Sequence, residues 1–212
     1  TFAVEMKKLV LLIWLLAIGY RLLAMGNGLL AMGNGQLANN DAYALRQEAL
    51  HDIDKGRSAD AQKKLIQAYG LFLADENWDM ASMCLYERAI DYMNIGDLAN
   101  MAVQCKGLES LYEQHQSTMV AYNYHSVASG YYSYVDSIEL AIRHGWGAID
   151  ALEQIENPSA YNIVPVWSYY NMAFFYDMYF QPPMVDSVRH YLVRARASIR
   201  DLRTRSRGWR MC

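Results

Sequence analysis

The chain has 212 residues, 53% of them hydrophobic, and a net charge of −3. That is enough apolar material for one domain or one short array of repeats, and it excludes a disordered tail. Residues 36–193 carry 20 Asp and Glu against 9 Lys and Arg, and an acidic body of this kind argues against nucleic acid as the partner of this region.

Taken in chain order, Met6-Lys7-Lys8 precedes an apolar run from Leu9 to Ile18, which small residues follow. A short basic start, an apolar stretch and small residues are the layout of a secretory signal peptide, and residues 1–35 are read as such a leader. Ala24-Met25-Gly26 fits the cleavage rule. The segment Leu22–Gly28 recurs at once as Leu29–Gly35, which offers a second cut after Gly33. An uncleaved membrane anchor is the alternative, although the run is short for a span. In both cases the remainder is expected to be exported, periplasmic or membrane-associated.

From residue 36 a repeat of forty residues appears. Leu85, Ala89 and Tyr92 lead to Gly96-Asp97, then to Met101, Cys105 and Leu108. Forty residues earlier Leu45 and Ala49 lead to Gly56, then Ala61, Leu65 and Ala68. Forty later Ser129 and Tyr132 lead to Asp136-Ser137, then Ala141, Gly145 and Ala148. A longer fourth copy is expected, with Tyr170-Asn171 echoing Tyr122-Asn123 and Val185-Asp186-Ser187 echoing Val135-Asp136-Ser137. Together these predict eight helices near 41–55, 58–75, 79–95, 97–114, 117–134, 136–155, 160–180 and 185–205. Turns are expected at Gly56, Gly96, Asp136 and Pro182-Pro183, and caps at Asp41, Ser58, Asn77, Asp97, Ser117 and Asp136.

On Leu85, Ala89, Tyr92, Gly96-Asp97, Ala141 and Ala148 the chain resembles the tetratricopeptide-repeat (TPR) family, over Asp41 to about Leu202. It departs from the family in its period, forty in place of thirty-four. The family's Trp is absent, Asp52 stands at a Tyr position, Gly145 stands at an aromatic one, and no Pro closes each unit. The resemblance implies an all-α, right-handed superhelical solenoid of about four antiparallel helix pairs over residues 36–205. It also looks like the exported sensory TPR region of bacterial membrane histidine kinases and helix-turn-helix regulators. What it implies for function is a protein or peptide ligand on the concave face, with Tyr43, Arg46, Met83, Tyr86, Ile90, Met93, Asn123, Ser126, Asn171 and Phe174 lining the groove. Asn123 and Asn171 would grip the backbone of an extended peptide through amide donor and acceptor, or else only cap or solvate their helices. Met and aromatic residues at these positions serve inter-repeat packing as readily as a pocket.

No catalytic constellation, cofactor motif or metal-ligand spacing stands out, and none is expected. The five His, at 51, 115, 125, 144 and 190, form no paired zinc motif. His144 in His144-Gly145-Trp146 faces a pocket or, in the commoner case, packs. Cys84 and Cys105 are read as small buried hydrophobes, with a disulfide as the alternative. An enzyme such as a hydrolase, with a site assembled from distant helices, is the competing functional reading. Residues 194–212 hold seven Arg and one Asp. The stripe of Arg189, Arg196, Arg200, Arg203 and Arg207 is read as a solvated helix face, with anionic lipid or an acidic partner as the alternative. Residues 206–212 are expected to be a basic end at which a longer protein is cut.

Overall fold

A computed structural model describes residues 37–158 and 165–208; for residues 37–40 and 200–208 only the helical backbone is described. Among the described residues there are eight α-helices and no strand, as the all-α expectation requires. They are α1 (Leu37–Asp54), α2 (Ser58–Ala74), α3 (Trp78–Asn94), α4 (Leu98–Gln114), α5 (Thr118–Tyr134), α6 (Ile138–Gln154), α7 (Val166–Met178) and α8 (Val185–Gly208). All eight fall within one compact unit; of the other, 1–35 with 157–164, only Asn157 and Pro158 are described. The leader, its cleavage points, the start of the helix expected at 160 and the end beyond 208 lie outside the described residues. No described helix is long and apolar enough to cross a membrane.

Each helix from α2 to α6 is 17 residues long, and three residues join each to the next. The chemistry of these short turns explains their regularity. Gly56, Glu76, Gly96 and Asp136 all take left-handed φ values, between 53° and 76°. In each case the next residue's N–H reaches back five residues: Arg57 to Asp52 O, Asn77 to Phe72 O, Asp97 to Tyr92 O and Ser137 to Tyr132 O, at 2.8–2.9 Å. This is the Schellman closure, which satisfies carbonyls orphaned at a helix C-terminus. The residue that closes one helix then opens the next. Asn77 accepts from the Met80 N–H and Asp97 from the Asn100 N–H. Ser117 does the same for Val120, although its own turn has no left-handed residue.

Three expected caps are therefore corrected. Ser58 is the first residue of α2, with Arg57 at the N-cap. Asp136 is the left-handed turn residue and Ser137 the N-cap. Asp41 lies inside α1. The fourth copy also departs from its echo. Val135 caps the C-terminus of α5, whereas Val185 begins α8 and Asp186 sits in its first turn.

The forty-residue frame reappears in burial. Ala61, Met101 and Ala141 are buried, as are Leu65, Cys105 and Gly145, and Ala68, Leu108 and Ala148. Ala49, Ala89 and Ser129 repeat the pattern on the first helices. Small residues at these positions let helices approach closely, and larger neighbours such as Leu85, Leu111 and Tyr124 fill the seams. The space that Gly145 leaves is taken by Met172 of α7, which an added Cβ would strike. Each helix packs on the next in sequence; α1 also touches α3, and α3 touches α5.

Candidate binding face and interior polar contacts

The first helices of the repeats, α1, α3, α5 and α7, carry the residues expected to line a groove. Several prove to be interior. Arg46 of α1 is 3% exposed and donates through Nε to Glu87 Oε2 of α3 at 3.0 Å, with a second bond from Nη2 to Oε1. Burial alone would lower the guanidinium pKa; the Glu87 carboxylate outweighs it, and the value is raised. A guanidinium so enclosed needs a carboxylate partner, and a peptide cannot reach it. Met83 is 2% exposed and belongs to the core.

Asn123 of α5 is fully buried, and its Nδ2 donates to Ser82 Oγ of α3 at 2.8 Å. Ser82 Oγ in turn donates to the Asp79 carbonyl at 2.7 Å. Asn123 is thus a strut between two helices rather than a groove amide. Asn171, its expected counterpart, is exposed. The two do not share one environment, although each is the sixth residue of its helix: one is sealed against α3 and the other is open to solvent.

Three of the ten groove residues do converge. Tyr86 of α3 meets Tyr122 of α5 with ring centroids 6.2 Å apart. The Tyr122 hydroxyl lies 3.5 Å from Ser168 Oγ of α7. Burial raises its pKa, against the pull of Ser168, Ser126 and Tyr86. Ser126 Oγ and Asn123 Oδ1, one helical turn apart, are buried and form no hydrogen bond of good geometry among the described residues. A polar patch therefore runs across α3, α5 and α7. Tyr122 and Ser168 belong to it and were missing from the sequence reading; Tyr122 was visible only as half of the Tyr-Asn echo. Of the rest, Tyr43 packs edge-on against Phe72 of α2 at 5.0 Å. Ile90 and Met93 are half-buried near the end of α3, and Phe174 is 40% exposed on α7.

The opposite side of α5 carries the densest group of titratable rings. His125 Nδ1 and His144 Nδ1 of α6 are 2.9 Å apart. Tyr132 stacks on His144 and Tyr124 meets it edge-on, while Tyr112 of α4 meets His125 edge-on. The Tyr124 hydroxyl donates to Glu109 Oε1 at 3.1 Å. Burial lowers the pKa of both imidazoles, that of His144 to about 4. His144 is therefore packed, as the commoner of its two readings held.

Cys84 and Cys105 are free and buried, and burial raises both thiol pKa values, that of Cys105 to about 11. Thiols of this kind are poor nucleophiles. Among the described residues no three His, Cys, Asp or Glu side chains are placed to hold a metal ion. Asp52 is buried and bonded to Arg57 and Lys64. Arg194 of the basic end pairs with Glu153 and lies 4.8 Å over the Tyr169 ring. No family model, no curated protein and no solved structure matches the chain.

Proposed function

We propose that the helices stack as a right-handed, TPR-like solenoid of antiparallel pairs, and that the face made by α1, α3, α5 and α7 binds an extended segment of a partner protein. The observation that carries this is the contact of alternate helices. The pairs α1 with α3 and α3 with α5 touch directly, which supports a stack that grows in one direction over these three helices, and α7 meets α5 through Tyr122 and Ser168. Tyr86, half-buried, and Phe174, exposed, offer apolar grip on that face. Hydroxyls such as that of Ser168 offer donors and acceptors for a peptide backbone. With the leader-like residues 1–35, this reading makes the protein an exported recognition module, the sensory or scaffolding part of a longer signalling protein.

The test is selection from a random peptide library against the immobilised full chain. Enriched peptides should bind at least about tenfold more weakly to a Tyr86→Ala, Phe174→Ala double variant that keeps the wild-type circular dichroism spectrum. An absence of enrichment, or enriched peptides indifferent to that double change, would overturn the proposal.

A further inference from the structure

Two imidazoles meeting Nδ1 to Nδ1 can share only one proton in that contact. With His125 and His144 both neutral, one ring donates its Nδ1–H and the other accepts. A first added proton lands on the donor ring's free Nε2; the donor becomes an imidazolium and the bond becomes charge-assisted. A second proton has only the acceptor's Nδ1 left to occupy. Two N–H groups would then face each other at 2.9 Å, on two cations, and the contact must break. We propose that this pair is an acid-operated latch between α5 and α6, closed with one or two neutral rings and opened by the second proton.

The surroundings leave the rings little freedom to evade the conflict by turning. Gly147 of α6 lies so close that a Cβ there would stand 2.8 Å from the His125 ring. Tyr132 and Tyr124 cover His144 on two sides, and Tyr112 covers His125. The charged and titratable groups around the pair come from every helix packed on it. Glu109 and Cys105 lie on α4, Tyr124 and Tyr132 on α5, and Arg143 and Asp150 on α6. Glu109 and Asp150 favour a proton on the pair, whereas Arg143 and the partner imidazole oppose it. One proton is thus accommodated by the carboxylates, and the second meets both burial and the first. Opening the contact would loosen α5 from α6 and disturb the shape of the face to which α5 contributes. The inference does not depend on that face binding a peptide.

Hydrogen exchange on the full chain, corrected for intrinsic rates, tests the latch locally. A one-proton linkage makes opening up to about tenfold more favourable per pH unit below the unfolded imidazole value. Both rings are only partly buried, so solvent screening reduces that. Exchange in α5 and α6 should rise about tenfold in total between pH 6 and pH 4. His144→Gln, which cannot take the second proton, should abolish most of the rise. Nitrogen-15 spectra of the wild type read the same chemistry without a variant: one ring should be protonated at Nδ1 and the other at Nε2 at neutral pH, with two well-separated titration steps. Independent titration of both rings near 6.5, or equal acid exchange in wild type and His144→Gln, would overturn the latch.

Discussion

The Arg46–Glu87 pair allows a prediction whose size follows from geometry. Its side chains are 3% and 8% exposed, and the two bonds are bidentate. At an effective dielectric near 20, unit charges about 4 Å apart attract by roughly 4 kcal/mol, while removing each ion from water costs several kcal/mol. The pair as a whole is therefore close to neutral, but either half alone is not. Glu87→Ala should leave an enclosed guanidinium and cost about 3–5 kcal/mol. At about 2–4 °C per kcal/mol, that lowers the midpoint of thermal unfolding by roughly 6–20 °C. Arg46→Met combined with Glu87→Leu keeps the volume and removes both charges, and should come within about 1 kcal/mol of wild type or exceed it. Urea unfolding of wild type, Arg46→Met, Glu87→Leu and their double variant gives the coupling energy directly. Hydrogen exchange should show α1 loosening first in the single variants, because this bond is its polar tie to α3. A loss below about 1 kcal/mol for Glu87→Ala, or a double variant as damaged as the sum of its parts, would refute the reasoning.

The turns give a paired prediction. Gly96→Ala has room for its Cβ but sits at φ 76°, so it should cost about 1 kcal/mol from backbone strain alone, whereas Glu76→Gly, at φ 53°, should gain about 0.5 kcal/mol; urea midpoints moving the other way would contradict both. Asn123→Ala should destabilise by about 1–2 kcal/mol, since the lost bond to Ser82 and the cavity outweigh relief of the unpaired Oδ1; an unchanged midpoint would place the side chain outside the core. Bonds from Lys64 and Arg57 hold the Asp52 carboxyl below its ordinary 3.8. A depressed carboxyl stabilises the fold above the unfolded value and ceases to do so as pH falls through the folded one. Asp52→Asn should therefore cost stability at pH 7 and lose most of that effect in strong acid, as parallel thermal scans would show.

Much of the fold was legible because its signals are local. Gly56 and Gly96 mark left-handed closures, Asn77, Asp97 and Ser117 are short polar caps, and the small residues Ala49, Ala89 and Ser129 recur at the repeat spacing. Asp136 also proved to be a turn residue, although not a cap, since Asp tolerates a left-handed backbone nearly as well as it caps. What could not be read was which face of each first helix points inward. Tyr86 and Asn123 are both polar and both fit a groove pattern, yet only the packing of α3 against α5 decides that one is half-buried and the other sealed. The fourth unit was legible in outline, since α8 begins at Val185 as the helix expected over 185–205 requires, but its echo of an earlier turn is only in the letters. Val185-Asp186-Ser187 has the residues of an earlier turn, but the chain from Tyr179 to Met184 is longer than three residues, so the same letters start a helix in place of ending one. The contact between His125 and His144 could not be foreseen either, because it depends on the close approach that Gly147 permits.

The interior polar contacts have a pattern of their own. Arg46 bonds Glu87, and Ser82 bonds Asn123, each pair separated by 41 residues. One contact ties α1 to α3 and the other ties α3 to α5, and each steps one residue beyond the repeat. Apolar packing between helices is nearly indifferent to small slides along the axis, because its energy follows area and not direction. A hydrogen bond weakens steeply over a few tenths of an ångström and tens of degrees. Against a largely apolar interior these two contacts, together with the bond from Ser117 Oγ to Asp79 of α3, are directional ties that limit how far each first helix slides along the one before. The displacement per unit is what sets the curvature of a repeat array. Arg46 and Asn123, which the sequence offers as parts of a binding surface, are instead buried between helices; on the proposed binding face they would touch no partner and would act from beneath, through the spacing of Tyr86, Tyr122 and Ser168.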